Sequence, residues 1–123
     1  MKILKNSFYV LNIILIIFYL YPGSILGCFL YNDCYIQPQL TKDFLVSSNH
    51  FYVFFILSLI GFLSFSKDLK KMSYYLILLS ILLELLHIII PKRSFEVPDL
   101  LGNILGVLLS LILFKLFIFR RLK

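Results

Sequence analysis

The 123-residue chain is 61% hydrophobic and 15% charged, and twelve Lys and Arg against six Asp and Glu give it a formal net charge of +6. A soluble domain is about half apolar and about a quarter charged, so this composition excludes a soluble globular protein, and the hydrophobicity excludes a disordered one. So little polar surface also excludes a soluble nucleic-acid-binding protein, and no nucleic acid partner is expected. A small integral membrane protein is the class that fits.

Four apolar blocks follow one another along the chain and predict an all-α membrane bundle of four transmembrane helices. A spanning helix needs about 20 apolar residues. The predicted helices cover about 8–30, 49–66, 72–90 and 99–119, within a single membrane domain over 1–123. Pro22 ends or kinks the first block, so Ser24–Tyr31 either continues that span or lies along the membrane surface.

Lys and Arg fall unequally on the two sides of such a bundle. With the N-terminus in the cytoplasm, nine lie inside and three outside, which follows the positive-inside rule. This predicts a multi-pass protein of the bacterial cytoplasmic (inner) membrane with both termini cytoplasmic. Aromatic residues near the block ends, among them Tyr19 and Tyr21, would form the interfacial belt. The inner set is Lys2, Lys5, Lys67, Lys70, Lys71, Lys115, Arg120, Arg121 and Lys123, and the outer set is Lys42, Lys92 and Arg93.

The first block and the loop after it leave two questions open. Early lysines and an apolar core resemble a secretory signal, and Ile25–Cys28 is loosely similar to a lipoprotein cleavage site. An uncleaved helix is the main expectation, because Pro22 and Leu26 fit a signal poorly. Cys28 and Cys34 both fall in the first outer loop, where a disulfide and two unlinked thiols fit equally well.

Polar and ionisable residues of three blocks converge on the outer half of the membrane. The second helix enters from outside, the third leaves there and the fourth enters again, so the polar ends meet. Ionisable groups inside a membrane are costly and need a partner or a polar pocket. Glu84 and His87 share a helix face at i, i+3 spacing, as do Asp99 and Asn103 at i, i+4. The candidate polar cluster is His50, Glu84, His87, Arg93, Asp99 and Asn103.

Several of these residues also have a simple structural explanation. Asp99 can act as an N-cap of the fourth helix, and Asn103 can supply an interhelical hydrogen bond. Arg93 is either an interfacial anchor or the cationic partner of Glu84, Glu96 or Asp99. Glu84 is the hardest to explain this way, because it is predicted to lie about two turns inside the span.

Metal binding is considered and not predicted. A Glu-x-x-His pair binds metal in some helix bundles, and both histidines with Glu84 and Asp99 would in principle make a site. Hydrogen bonding explains His87 equally well. The sequence therefore predicts no metal and no cofactor.

Small residues on the fourth block predict close helix packing. Gly102 and Gly106 form a small-xxx-small motif that Ser110 extends. The fourth helix is therefore expected to pack centrally, and a glycine-rich face of this kind also allows a homo-oligomer.

The polar cluster, taken as a set of motifs, resembles the VanZ-like family over about residues 47–114. The resemblance lies in His50-Phe51, Glu84-x-x-His87, Pro91-Lys92-Arg93-Ser94-Phe95 and Asp99-x-x-x-Asn103-x-x-Gly106. The family often has Lys where this chain has Ser47 and usually Gln where it has His87. The resemblance implies a small multi-helix membrane protein. The family's namesake is linked to resistance to teicoplanin, a lipid-tailed glycopeptide that acts at the outer membrane face.

The favoured function is that of a non-enzymatic envelope protein at the outer membrane face. Its expected partners are membrane lipids and a lipid-linked cell-wall intermediate or lipoglycopeptide, with an effect on glycopeptide susceptibility. One alternative is an intramembrane enzyme on a lipid, with Glu84 as acid or base assisted by His50 or His87. The other is a structural membrane subunit whose polar cluster only locks the helices together.

Overall fold

The computed structural model describes residues 1–122, which form helices joined by turns and loops. Among these residues no strand occurs, so the predicted all-α class is confirmed for this part of the chain. Lys123, counted above among the cytoplasmic residues, lies outside the described residues. The helices are α1 (Lys2–Leu20), α2 (Ile25–Tyr31), α3 (Ser48–Ser64), α4 (Leu69–Leu86), α5 (Val97–Leu113) and α6 (Phe119–Leu122).

Two helical segments are long and apolar enough to cross a membrane, and a third candidate is a bent pair. The two are Lys2–Leu20 and Val97–Ile118, in which the π-helical turn Phe114–Ile118 continues α5. The helices α3 and α4 qualify only together, and they are bent by 101° at the break between them. Alone, α3 has 17 residues, about 25 Å of helix against a hydrocarbon core of about 30 Å. The sequence predicted four spans, whereas composition and length in the structure support two or three.

The first apolar block forms two helices and not the single helix predicted over 8–30. The backbone turns extended at Tyr21 (φ −67°, ψ 134°), directly before Pro22. Gly23 then adopts a φ of +87°, a conformation that side-chain-bearing residues rarely take. A new helix begins after Ser24, whose hydroxyl accepts a hydrogen bond from the Gly27 backbone N–H at 2.9 Å. Ser24–Tyr31 therefore does not continue α1.

A disulfide ties α2 to the loop that follows it. Cys28 and Cys34 form a disulfide, with their Cα atoms 4.2 Å apart. Of the two alternatives that the sequence left open, the disulfide and not the pair of unlinked thiols is present. Asn32 ends α2 in the left-handed conformation, which lets the chain reverse. The 28–34 segment is thus a compact, cross-linked turn beside the polar ends of the long helices.

The helix α5 packs against the backbone of α3. A Cβ atom at Gly102 would lie 2.7 Å from the Ser47 carbonyl oxygen, and one at Gly106 would lie 2.6 Å from that of Phe51. Only glycine permits this approach. The core between α3, α4 and α5 contains the fully buried side chains of Phe54, Phe62, Leu76, Val107 and Phe114.

The two ends of the bundle differ in chemistry. At one end, Phe8 of α1 contacts Phe65 and Tyr75, and Asn12 hydrogen-bonds the Tyr75 hydroxyl. The lysines at the start of α1 and α4 lie near this end, and Lys5 stacks over the Phe65 ring. The other end of the bundle is polar. Four helix ends meet there: the end of α1, the start of α3, the end of α4 and the start of α5.

Candidate functional site

The polar cluster forms where α4 ends and where α3 and α5 begin. The chain turns back after α3, so the last turn of α4 lies beside the first turns of α3 and α5. Glu84 lies in that last turn and His87 directly after it. The sequence placed Glu84 about two turns inside the span, whereas α4 ends two residues later. Glu84 is nonetheless completely buried, because α3 and α5 cover it.

Glu84 has one satisfied and one unsatisfied carboxylate oxygen. Its Oε1 accepts a hydrogen bond from the Glu96 backbone N–H at 3.1 Å. Its Oε2 lies 3.3 Å from Nδ1 of His87 and 3.8 Å from Nδ1 of His50, and no donor forms a hydrogen bond with it. A buried carboxylate oxygen without a hydrogen-bond donor is costly, so a donor or a positive charge beside it would stabilise the folded protein.

His50 joins α3 to the other helices through both ring nitrogens. Its Nδ1 lies 2.9 Å from the Tyr19 hydroxyl and 3.0 Å from Oδ1 of Asn103. Its Nε2 lies 3.5 Å from Oδ2 of Asp99, a carboxylate that is 20% exposed. His50 is thus the residue that connects the buried and the partly exposed carboxylates.

Asn103 connects four helices. Its side-chain nitrogen donates to the Ser80 carbonyl of α4 at 3.1 Å, which identifies the nitrogen and leaves the oxygen facing α1 and α3. That oxygen accepts a hydrogen bond from the Tyr19 hydroxyl at 2.6 Å. The interhelical role considered for Asn103 from the sequence is the role it has here.

Asp99 does not cap α5, contrary to the structural explanation offered from the sequence. The helix begins at Val97, with Glu96 at the N-cap position and Pro98 in the first turn. Asp99 lies within that first turn, where the helix dipole still favours its negative charge. Its carboxylate is therefore free to face His50.

Arg93 contacts α1 and not the carboxylates. Its guanidinium donates to the Phe18 carbonyl at 2.9 Å and to the Tyr21 carbonyl at 3.4 Å, which satisfies acceptors left free at the end of α1. Of the two roles that the sequence leaves open for Arg93, the ion pair with Glu84, Glu96 or Asp99 does not form within residues 1–122. Partial burial lowers the pKa of Arg93 from its ordinary value, but a guanidinium stays charged.

Tyr19 also belongs to the site, although its place near a block end predicts a position in the interfacial belt. The side chain is only 7% exposed. Its ring stacks on His87 with centroids 5.5 Å apart, and its carbonyl lies 3.0 Å from Nε2 of His87. The sequence spacing does indicate that Tyr19 is buried. Phe8, Leu15 and Tyr19 stand at i, i+7 and i+11, which places them on one helix face.

A groove of about 490 Å³ lies beside the cluster, between α1 and α3. Its walls are apolar along most of their length, and its polar end is formed by Arg93, His50 and the 37–40 loop. Asn49 holds that loop in place, donating to the Pro38 carbonyl at 2.5 Å and accepting from the Leu40 N–H at 3.3 Å. The apolar wall residues include Leu11, Ile14, Leu15, Phe18, Val53, Ile56 and Leu57.

In the comparisons with known proteins, no protein-family model, curated protein or solved structure matches this chain.

Proposed function

We propose that this chain is a bacterial inner-membrane protein that binds an amphiphile at the outer membrane face. The groove between α1 and α3 takes the apolar chain, and the polar end beside Arg93 and His50 takes the headgroup. The observation that carries the proposal is this gradient from apolar walls to a polar end within one groove. A volume of about 490 Å³ is also within the range of small-molecule sites, about 300–1,000 Å³.

The shape of the groove suits a hydrocarbon chain. Leu11 and Phe18 line it on α1, and His50 and Leu57 line it on α3. Each pair is seven residues apart, so the groove follows the helices for about 10 Å. A groove parallel to the spans is accessible to a lipid tail that lies in the same direction.

Arg93 is the residue we propose for headgroup binding. Two of its guanidinium nitrogens donate to carbonyls of α1, which fixes the side chain at the groove end. Its Nη1 makes no hydrogen bond within residues 1–122 and can donate to an anionic oxygen. Guanidinium groups bind phosphate and carboxylate groups with strong, directional hydrogen bonds.

For the topology, we propose that α1, α3, α4 and α5 all cross the membrane, with both termini cytoplasmic. The distribution of nine inner and three outer basic residues supports this orientation. It places the disulfide and the polar cluster outside, where oxidising conditions permit a disulfide. Local thinning of the bilayer accommodates helices as short as α3.

For the ligand class, we propose a lipid-linked cell-wall intermediate or a lipoglycopeptide, beside membrane lipid itself. The support is the resemblance of the polar cluster to the VanZ-like motifs, whose namesake is linked to teicoplanin resistance. An effect of this chain on glycopeptide susceptibility belongs to the same proposal. Cell-wall intermediates and lipoglycopeptides both pair an apolar tail with a polar head, as the groove requires.

Filling the groove tests the proposal. In Val53→Trp the larger ring occupies the groove, so we expect the purified protein to lose most of the lipid that native mass spectrometry detects on the unmodified chain. Ile112→Trp is the matched control, because Ile112 is 51% exposed on α5 and lies outside the groove. Equal lipid occupancy in both variants would rule out the groove as the binding site.

A further inference from the structure

In the polar cluster, one ring nitrogen of each histidine faces a carboxylate oxygen. The first pair is Nε2 of His50 and Oδ2 of Asp99, 3.5 Å apart. The second is Nδ1 of His87 and Oε2 of Glu84, 3.3 Å apart. Hydrogen bonds made elsewhere by each histidine determine which of its nitrogens carries the hydrogen.

For His50, the neighbours of Nδ1 require that nitrogen to be the donor. The Tyr19 hydroxyl gives its hydrogen to Oδ1 of Asn103, so both oxygens can only accept from Nδ1. A neutral His50 therefore carries its hydrogen on Nδ1 and presents the Nε2 lone pair to Asp99. A histidine whose second nitrogen donates to a fixed oxygen has the arrangement typical of a metal ligand.

For His87, the same reasoning applies at the other end of the ring. Its Nε2 lies 3.0 Å from the Tyr19 carbonyl oxygen, which can only accept. A neutral His87 therefore presents the Nδ1 lone pair to Oε2 of Glu84. Glu84 is completely buried, and this oxygen has no hydrogen-bond donor. The cluster thus directs nitrogen and oxygen lone pairs inward, and a cation is the group that such a set accepts.

We propose that His50, Glu84 and Asp99 bind a divalent transition-metal cation of the Zn²⁺ type. One ligand atom from each residue lies within 4.8 Å of the others, so modest side-chain rotation brings all three to one ion. Two carboxylates offset the charge of the cation in a buried setting. Mixed imidazole and carboxylate ligands favour first-row transition metals over Mg²⁺ or Ca²⁺.

The groups around the three ligands hold them in place for this role. Tyr19 and Asn103 orient His50, and the Glu96 backbone N–H holds the other oxygen of Glu84. Three protein ligands leave a coordination position for water or a ligand atom, as in catalytic and not structural zinc sites. The sequence groups both histidines with Glu84 and Asp99 as a site possible in principle, but it predicts no metal because hydrogen bonding explains His87 equally well. The buried carboxylate oxygen of Glu84 without a hydrogen-bond donor is the observation that only the structure supplies.

Cobalt titration of the full chain in detergent tests the metal site. After removal of metal with a chelator, Co²⁺ is added and visible absorption is recorded, followed by competition with Zn²⁺. We expect a saturable signal at one Co²⁺ per chain that Zn²⁺ abolishes. We expect Glu84→Gln and Asp99→Asn to weaken Co²⁺ binding at least tenfold, since each removes a charged ligand.

Glu96→Gln is the matched control for these variants. Its side chain is exposed and accepts a hydrogen bond from the Ser94 hydroxyl, and the contact of its backbone N–H with Glu84 is retained in the variant. Unchanged Co²⁺ binding in this variant supports the site. Absence of a stoichiometric signal in the unmodified chain, or full binding in Asp99→Asn, would overturn it. Because the unmodified chain is titrated as well, its Co²⁺ binding tests the metal site even if Glu84→Gln fails to fold. Lipid binding in the groove is measured separately, so either proposal can fail alone.

Discussion

Replacing Gly106 with Ala is expected to destabilise the folded protein by about 1–3 kcal/mol, the usual effect of overpacking. The added Cβ would lie 2.6 Å from the Phe51 carbonyl oxygen and 2.9 Å from the Phe55 nitrogen. Both are backbone atoms, which cannot turn away as a side chain can, so α3 and α5 must separate. Separation also moves His50 away from Asn103, and we therefore expect Gly106→Leu to abolish accumulation of folded protein.

Gly61→Ala is the matched control for this effect. A Cβ at Gly61 would meet the end of the Phe8 ring at 2.9 Å, and a flexible side chain can move aside. Its expected cost is below about 1 kcal/mol, because Ala also has the higher helix propensity. Thermal unfolding of both variants in the same detergent measures the difference. Equal midpoints would contradict the close α3–α5 contact.

Tyr19→Phe is expected to lower the stability of the folded protein by about 1–3 kcal/mol, although it removes a single oxygen. The hydroxyl donates to Oδ1 of Asn103 at 2.6 Å and lies 2.9 Å from Nδ1 of His50. Both partners then lose a hydrogen bond in a buried setting, where water does not replace it. His50 also loses one of the two contacts that fix its ring.

Tyr9→Phe provides the comparison on the same helix. Tyr9 is 52% exposed, and substitutions at such surface positions usually change stability by less than about 0.5 kcal/mol. Denaturant or thermal unfolding measures both variants. If Tyr19→Phe were as stable as Tyr9→Phe, the buried hydrogen-bond network around Asn103 would not be an important source of stability.

The sequence predicted that the polar residues lie close to one another, but it did not predict which atoms are in contact. Helix order and direction place the end of α4 beside the starts of α3 and α5, so His50, Glu84 and Asp99 had to lie near one another. The sequence left two roles open for Arg93, and it could not indicate the carbonyl partners because it shows charges and not unpaired backbone acceptors. The free acceptors at the end of α1 compete with carboxylates for a guanidinium, and only the packing of α1 shows that they are close.

The helix boundaries in the structure also differ from the predicted ones, and each of these differences has a local cause. Pro22 indicated a break, but the positive φ of Gly23 and the Ser24 cap turn that break into the start of α2. Apolar block length predicted four spans, although α3 has only 17 residues and α4 carries Lys70, Lys71 and Glu84 within its 18. Glu84 was predicted deep within a helix because apolar residues continue past the point where α4 ends.

Photolabelling is the most direct test of acyl-chain binding between α1 and α3. A phosphatidylglycerol analogue with a diazirine near the end of its acyl chain is added to the purified protein, illuminated, and the labelled residues are identified by mass spectrometry. Leu15 and Leu57 line the groove and are only 5% and 3% exposed, so a tail reaches them only from inside it. Groove binding predicts strong labelling of these two residues, reduced in Val53→Trp. Labelling confined to outward-facing residues such as Leu78 and Leu108 would contradict it.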